Sequence, residues 1–312
     1  MDFAIYEVGL GGRLDATNIV EPEVAIITPI DFDHEDFLGH SIQEIAAEKA
    51  GIIKPGAWVV SASERPEARA VIARRCAEMD ARLVEVDATA RAEDVQSDGG
   101  SYSGLAAFTH SRKKLVLAPR LPGRFQIRNA LTAAVAARLL AERGFPLPYS
   151  ALERGIATTN WPGRLERLAT EPDLYLDGAH NPAGARELLK FWQENYSGRR
   201  ILLVYGAMRD KAVDEISGLL FPHATAVILT EPHQPRAISA SQLAEMTSHD
   251  AQDTIVVRDP GEALESALER AGPQDAVFVT GSLYLVGELR SYWSTRAAKQ
   301  SSVTGRNSSS KS

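Results

Sequence analysis

Short apolar, β-branched runs alternate with helical patterns along nearly the whole chain, and this alternation constrains the fold more than any other feature. The runs at 3–8, 24–28, 58–61, 83–86, 174–176, 201–205, 226–230, 254–257 and 276–280 read as strands. They are continuously apolar, and the spans between them carry helical periodicity, so they predict parallel sheets covered by helices on both faces. The stretch 99–119, with Tyr102, Leu105, Phe108 and then Leu115, Val116 and Leu117, reads instead as a hairpin set before a long helix over 124–143. Pro146 and Pro148 punctuate the chain, a short helix follows at 151–156, and Asn160-Trp161-Pro162-Gly163 marks a domain boundary. The expected class is therefore α/β, with one domain over 1–158 and a smaller one over 159–295. A disordered tail is expected over 296–312, because six of the last twelve residues are serine and apolar periodicity is lost.

Composition removes several classes of function. Lys and Arg number 34 against 41 Asp and Glu, a net charge of −7, which disfavours a nucleic-acid binder built on a broad basic surface. With 44% apolar and 24% charged residues the chain has the balance of a soluble globular protein. No apolar run approaches the roughly 20 residues needed to cross a bilayer, and the acidic start Met1-Asp2-Phe3 lacks the basic opening of a signal peptide, so no membrane partner and a cytoplasmic location are expected. Cys76, the only cysteine, excludes an internal disulfide framework and reads as a packing residue in a helix. A parallel domain that opens directly on the strand 3–8 would leave part of its first sheet uncovered, so the amino-terminal half reads as incomplete.

Five segments are suited to chemistry. The strand at 3–8 ends in an acid, Glu7, followed by Gly9, Gly11 and Gly12, which places a carboxylate at the carboxyl edge of a parallel sheet, where it could hold magnesium. Leu14 stands where the dinucleotide fingerprint needs a third glycine, so the glycines read equally as a flexible turn. The next strand ends in Asp31-Phe32-Asp33-His34, an acidic cluster in which His34 is either a cation ligand or a solvated side chain. Lys49, on a helix over 41–53, is by itself an exposed lysine beside Glu48. In the second half Asp177 closes a strand and Pro182 starts a helix, a corner suited to an anion or a ribose, and Arg164 at a hinge is suited to phosphates. Asn181 as a helix cap and an Arg164–Glu166 pair are the structural alternatives.

Together these segments carry a resemblance. Glu7 with Gly9-Leu10-Gly11-Gly12-Arg13-Leu14-Asp15-Ala16-Thr17-Asn18, Asp33-His34 with Leu38-Gly39, Ala47-Glu48-Lys49-Ala50-Gly51-Ile52-Ile53-Lys54, Trp161-Pro162-Gly163-Arg164 and Leu176-Asp177-Gly178-Ala179-His180-Asn181-Pro182, in this order, resemble the folylpolyglutamate synthase and dihydrofolate synthase family of the Mur ligase superfamily. The resemblance implies a Mur-ligase-type parallel-sheet ATPase domain, incomplete at its start, followed by a smaller Rossmann-like α/β domain. It implies an ATP-dependent ligase that joins L-glutamate to the carboxylate of dihydropteroate or a folate through an acyl phosphate, in folate biosynthesis and polyglutamylation, and a monomer.

Carried over position by position, the resemblance makes Glu7 and His34 magnesium ligands and Lys49 a carbamylated lysine whose added carboxylate faces a second magnesium ion. It gives Arg13, Leu14 and Asp15 to the pterin, Asn129, Arg164 and Asp177 to ATP, and His180 and Ser282 to glutamate, with His180 also beside the reacting groups. The family's phosphate-binding loop, G-x-x-x-x-G-K-[ST], is missing from these residues, which contain no Gly-Lys pair. A chain without that loop is expected to hold ATP poorly, so a catalytically inactive member that binds folate or a partner is the alternative expectation. A peptidoglycan Mur-type ligase is the other; Arg13-Leu14-Asp15 and the corner at His180 favour the folate branch.

Overall fold

A computed structural model of the chain describes residues 3–250 and 253–308, the side chains of 297–308 excepted. The chain divides into two compact units, Met1–Asn160 and Trp161–Ser312.

In the first unit β1 (Val24–Ile27) leads through α1 (Glu35–Leu38) and α2 (Ile42–Ala50) to β2 (Trp58–Ser61), and α3 (Pro66–Glu78) leads on to β3 (Arg82–Glu85). The strands pair in parallel in the order β1-β2-β3, with Val24 beside Trp58 and Trp58 beside Arg82. Helix α2 begins at Ser41, whose Oγ accepts the Glu44 N–H at 3.2 Å. It buries Ile42, Ile45, Ala46 and Ala50 against Ile27, Val59 and Ile72. Cys76 packs in the same core on α3, and burial pushes its thiol up to about 11, the behaviour of an inert packing residue.

A single turn, α4 (Val86–Thr89), enters a second, antiparallel sheet of β4 (Ala90–Asp98), β5 (Ser101–Phe108) and β6 (Leu115–Leu117). The β4–β5 turn is Gly99-Gly100, both at positive φ, which glycine adopts without steric cost. Helix α5 (Phe125–Glu142) lays Ile127, Leu131 and Val135 over Tyr102, Ala106 and Leu117, and α6 (Tyr149–Thr158) packs beside it. Strand β4 has no counterpart among the expected strands. Arg91, Glu93, Asp94, Gln96 and Asp98 hide it in the sequence, as polar side chains do on an edge strand with one solvated face.

The second unit runs β7 (Glu166–Ala169), β8 (Asp173–Leu176), α7 (Pro182–Asn195), β9 (Ile201–Tyr205), α8 (Val213–Leu220), β10 (Ala226–Leu229), α9 (Ala240–Met246), β11 (Thr254–Val256), α10 (Pro260–Arg270), β12 (Ala276–Thr280) and α11 (Leu283–Ser308). Its sheet order is β11-β10-β9-β12-β8-β7, parallel except for the edge strand β7. Strands β8, β9, β10 and β12 are buried along their whole length, which is why their sequences are apolar apart from Asp173 and Thr280 at strand ends. From β9 the chain steps outward to β10 and β11 and returns to β12 on the other side. The carboxyl ends of β9 and β12 therefore flank a topological switch point, the usual ligand position in open α/β sheets.

One expectation is corrected. Residues 3–8 form no strand. A β-run is held by hydrogen bonds to a neighbour, and among the described residues no strand pairs with this one; Ile5 is 96% exposed while the Phe3 ring packs at a tilt against Phe145. Helix α11 extends to Ser308, over part of the stretch expected as a tail, and packs through Leu285, Val286 and Leu289. Residues 309–312 of that tail lie outside the described residues. No described helix is long and apolar enough to cross a membrane.

Candidate functional site

In the first unit the glycine-rich segment is an organised loop docked on the end of α2. Asp15 Oδ2 accepts the N–H groups of Gly9 and Leu10 at 3.0 and 3.1 Å, and its Oδ1 accepts the N–H and hydroxyl of Thr17 at 2.9 and 2.5 Å. The Thr17 bonds lead these contributions, and together they hold the Asp15 carboxyl at about 2, well below the usual range. Arg13 donates its backbone N–H to the Glu48 carbonyl at 2.9 Å, and its Nε and Nη2 both reach Glu48 Oε1, at 3.0 and 2.9 Å. Leu14, between them, is 80% exposed.

Lys49 lies in the last turn of α2. Lys49 is not the exposed lysine its sequence context suggests: it is half-buried, and burial lowers its amine below the usual lysine range, with Asp33 pulling weakly the other way. Asp33 and His34 lie at the carboxyl side of β1. His34 adopts a left-handed φ of 52° at the start of α1, a conformation uncommon for a non-glycine residue and concentrated at functional sites. Its N–H is accepted by Asp33 Oδ1 at 2.9 Å, and its Nε2 lies 3.8 Å from the same oxygen. A carboxylate and an imidazole held this way offer the mixed donors of a divalent-cation site. Glu7 is exposed, and among the described residues no grouping of three metal-binding side chains includes it. Asn129 sits exposed on α5 with its Nδ2 donating to Gln126 Oε1 at 3.0 Å.

In the second unit the turns after β8 and β12 interlock. Asp177, fully enclosed, accepts the Leu165 N–H on Oδ2 at 2.8 Å and the Ala179 N–H on Oδ1 at 2.9 Å. Burial raises its carboxyl above the usual range, opposed by those two bonds and by the charge of Arg164. The Gly281 N–H donates to the Ala179 carbonyl at 2.9 Å, so the corner carrying His180 and the one carrying Ser282 are neighbours. His180 Nδ1 contacts the Gly178 carbonyl at 2.7 Å. Ser282 is buried, and its Oγ accepts the Tyr284 N–H at 3.1 Å, closing the start of α11. Asn181 does cap α7, accepting the Gly184 N–H at 2.8 Å, whereas Glu166 pairs with Arg290 at 2.9 Å and not with Arg164.

The family models for the Mur ligase middle domain and the Mur ligase glutamate ligase domain match residues 1–137 and 163–283. The dihydrofolate synthase/folylpolyglutamate synthase of Bacillus subtilis (strain 168) is 33% identical over 292 residues, covering 93% of this chain and 67% of that protein. The chain belongs to the folylpolyglutamate synthase and dihydrofolate synthase family of Mur ligases. It spans about two thirds of the length of the curated family members it matches. The folylpolyglutamate synthase of Mycobacterium tuberculosis complexed with ADP and AMPPCP superposes with a TM-score of 0.82 at 29% identity, covering 92% of this chain and 67% of that one. E. coli FolC in complex with DHPP and ADP does so with a TM-score of 0.81, also at 29% identity, covering 93% and 66%.

Sequence reasoning missed three contributors. Glu48 stands beside Lys49 in the sequence with nothing to mark its tie to Arg13 except Gly51, where an added Cβ would lie 2.5 Å from Arg13 Cα. Asp33 adjoins His34 in the sequence, and only the fold brings its charge to bear on Lys49. Lys211, in the loop after β9, has a side chain 8% exposed with Nζ 3.7 Å from Asp210, a buried cation at the carboxyl edge of the sheet that Arg209-Asp210-Lys211 after an apolar strand could have flagged.

Proposed function

We propose that this protein is an ATP-dependent ligase that joins L-glutamate to the carboxylate of dihydropteroate or a folate. The single observation that carries the reading is the docking of the 9–15 loop on the end of α2, where burial lowers the Lys49 amine below the usual lysine range. A lysine takes up carbon dioxide only as the neutral amine, so carbamylation of Lys49 is chemically reasonable. The relatives' names and the ADP and DHPP in their structures support the same substrates.

The chemistry runs in two balanced steps. A carboxylate oxygen of the acid attacks the γ-phosphorus of ATP, giving an acyl phosphate and ADP. The glutamate amine then attacks the acyl carbon, and phosphate leaves with release of a proton. His34 and Asp33, with Glu7 and a carbamylated Lys49, are the groups we assign to magnesium, which would neutralise charge on the transferring phosphoryl group. Asn129 and Arg164 are assigned to ATP, Arg164 with electrostatic support from Asp177, and His180 and Ser282 to glutamate.

The cavity of about 690 Å³ beside α11, lined by His233, Asp259, Tyr284, Glu288 and Tyr292, does not suit glutamate. Asp259 and Glu288 there would repel its two carboxylates, with only His233 between them. The test is ADP release by the full-length protein with magnesium, glutamate and either dihydropteroate or folate. The reading requires release that depends on both glutamate and the pterin acid; release that ignores either would sink it.

A further inference from the structure

Arg65 is unfavourable for the helix it starts. It is the N-cap of α3, with Pro66 next to it in the first turn, and its side chain makes no capping bond. A Ser, Thr, Asp or Asn in that position would satisfy an orphan N–H of the first turn, and a cation there faces the positive end of the helix dipole. A residue that breaks such a local rule points to a gain elsewhere. The side chain of Arg65 leaves its own helix: Nη2 donates to Asp31 Oδ1 at 2.6 Å, and the guanidinium stands 5.6 Å from the centre of the Phe32 ring.

Asp31 and Phe32 lead directly into the turn that carries Asp33 and His34. The Asp31 oxygen that accepts Arg65 also accepts the Phe32 N–H at 3.0 Å, Ile30 before it is buried, and Phe32 packs against the core shared by α2 and α3. The segments that follow β1 and β2 are already joined where the strands end, the Ala62 N–H donating to the Ile27 carbonyl at 2.9 Å. Arg65 therefore braces the residues after β1 from the residues after β2. Beyond that brace His34 holds its left-handed φ of 52°, with its N–H accepted by Asp33 Oδ1. Such a conformation is unfavourable for a residue with a Cβ, and it persists only where the surrounding structure over-determines it.

We infer that Arg65 is a positioning residue, which acts through Asp31 to hold the Asp33-His34 turn in the shape that presents a carboxylate and an imidazole to a divalent cation. The inference rests on the proposed function for the cation and goes beyond it in giving Arg65 and Asp31 a role. A turn released from Arg65 spends part of its time in other conformations, and the apparent affinity for the cation falls with the fraction that remains competent. Positioning separates from plain stability in one substitution. Arg65→Ser removes the ion pair and at the same time supplies the side-chain cap that Arg65 does not give α3.

The experiment is equilibrium binding of Mn²⁺, read by electron paramagnetic resonance, to the full-length protein and its variants, with a thermal melt of each. The Mn²⁺ lost in His34→Ala is the population counted. Arg65→Ser is expected to weaken that binding about threefold, the size of a partly exposed ion pair, while melting no lower than wild type. Arg65→Lys keeps the charge and is expected to bind within about twofold of wild type. Arg69→Met loses a comparable pair with Glu85 on the same helix, and is expected to leave binding unchanged. Wild-type affinity in Arg65→Ser would overturn the inference. Weakening accompanied by a lower melting temperature, or matched in Arg69→Met, would overturn it as well, since both would mean a general loosening around α3. Absence of His34-dependent Mn²⁺ in the wild-type protein would instead overturn the assignment of the cation, and this inference with it.

Discussion

Lys49 and Asp177 show how burial, which no sequence pattern states, decides what a charged residue does. The amine of Lys49 is lowered by desolvation, so between its folded value and the unfolded value near 10.5 the unfolded chain binds more protons and stability rises with pH. At neutral pH the lysine therefore opposes folding. Lys49→Met is expected to raise the melting temperature by about 2–4 °C in carbonate-free buffer at pH 7, measured by calorimetry, and to abolish ligation. A lower melting temperature in that variant would show that the amine is not desolvated.

Asp177 has the opposite sign. Its carboxyl is raised by burial, so in the window above the ordinary value of 3.8 the folded state holds the proton more tightly and stability falls as pH climbs. The gain from its two backbone bonds is what keeps it in place. Asp177→Asn can accept only one of the N–H groups of Leu165 and Ala179, leaving a buried donor unpaired at a cost of about 1–3 kcal/mol, readable as a shift in the denaturant midpoint of the second unit. The sequence did mark Asp177 as a strand-end acid beside a helix start. That its carboxylate would face its own turn was not legible, because Leu165 lies in a separate segment that only the fold brings close.

At the level of elements, what the sequence shows depends on burial of both faces. Strands β8, β9, β10 and β12 are buried throughout and stand out as apolar runs, and α5 is read to within a residue at each end. Strands β4 and β7 are sheet edges with mixed side chains, and neither was anticipated. The run at 3–8 has strand composition and no partner, so propensity without pairing gave a false strand. Close approaches are carried by glycine, whose reason shows only in three dimensions. Gly281, at φ +102°, would place a Cβ 2.6 Å from the Tyr205 ring and 2.7 Å from the Gly206 carbonyl oxygen, whereas Gly56, at φ +69°, would meet nothing within 4 Å. Gly56→Ala is expected to cost about 1 kcal/mol from backbone conformation alone, and Gly281→Ala about 3 kcal/mol or more, in chemical denaturation. Equal costs would mean that the β12 corner is looser than its contacts imply.

At the scale of the whole molecule, each of the two units has an organised edge of its own. The first unit carries the 9–15 loop, Lys49 and the Asp33-His34 turn; the second carries the interlocked corners with His180 and Ser282. Family membership was legible in the sequence because these short motifs occur together and in order, although each alone admits a structural explanation. The central claim is that the acid substrate is activated as an acyl phosphate before glutamate attacks. It is tested most directly with pteroic acid labelled with ¹⁸O in its carboxylate, incubated with the full-length protein, magnesium, ATP and L-glutamate. The account predicts amide product and inorganic phosphate carrying one labelled oxygen for each amide formed. Amide formed with unlabelled phosphate, or phosphate released with no amide, would contradict it.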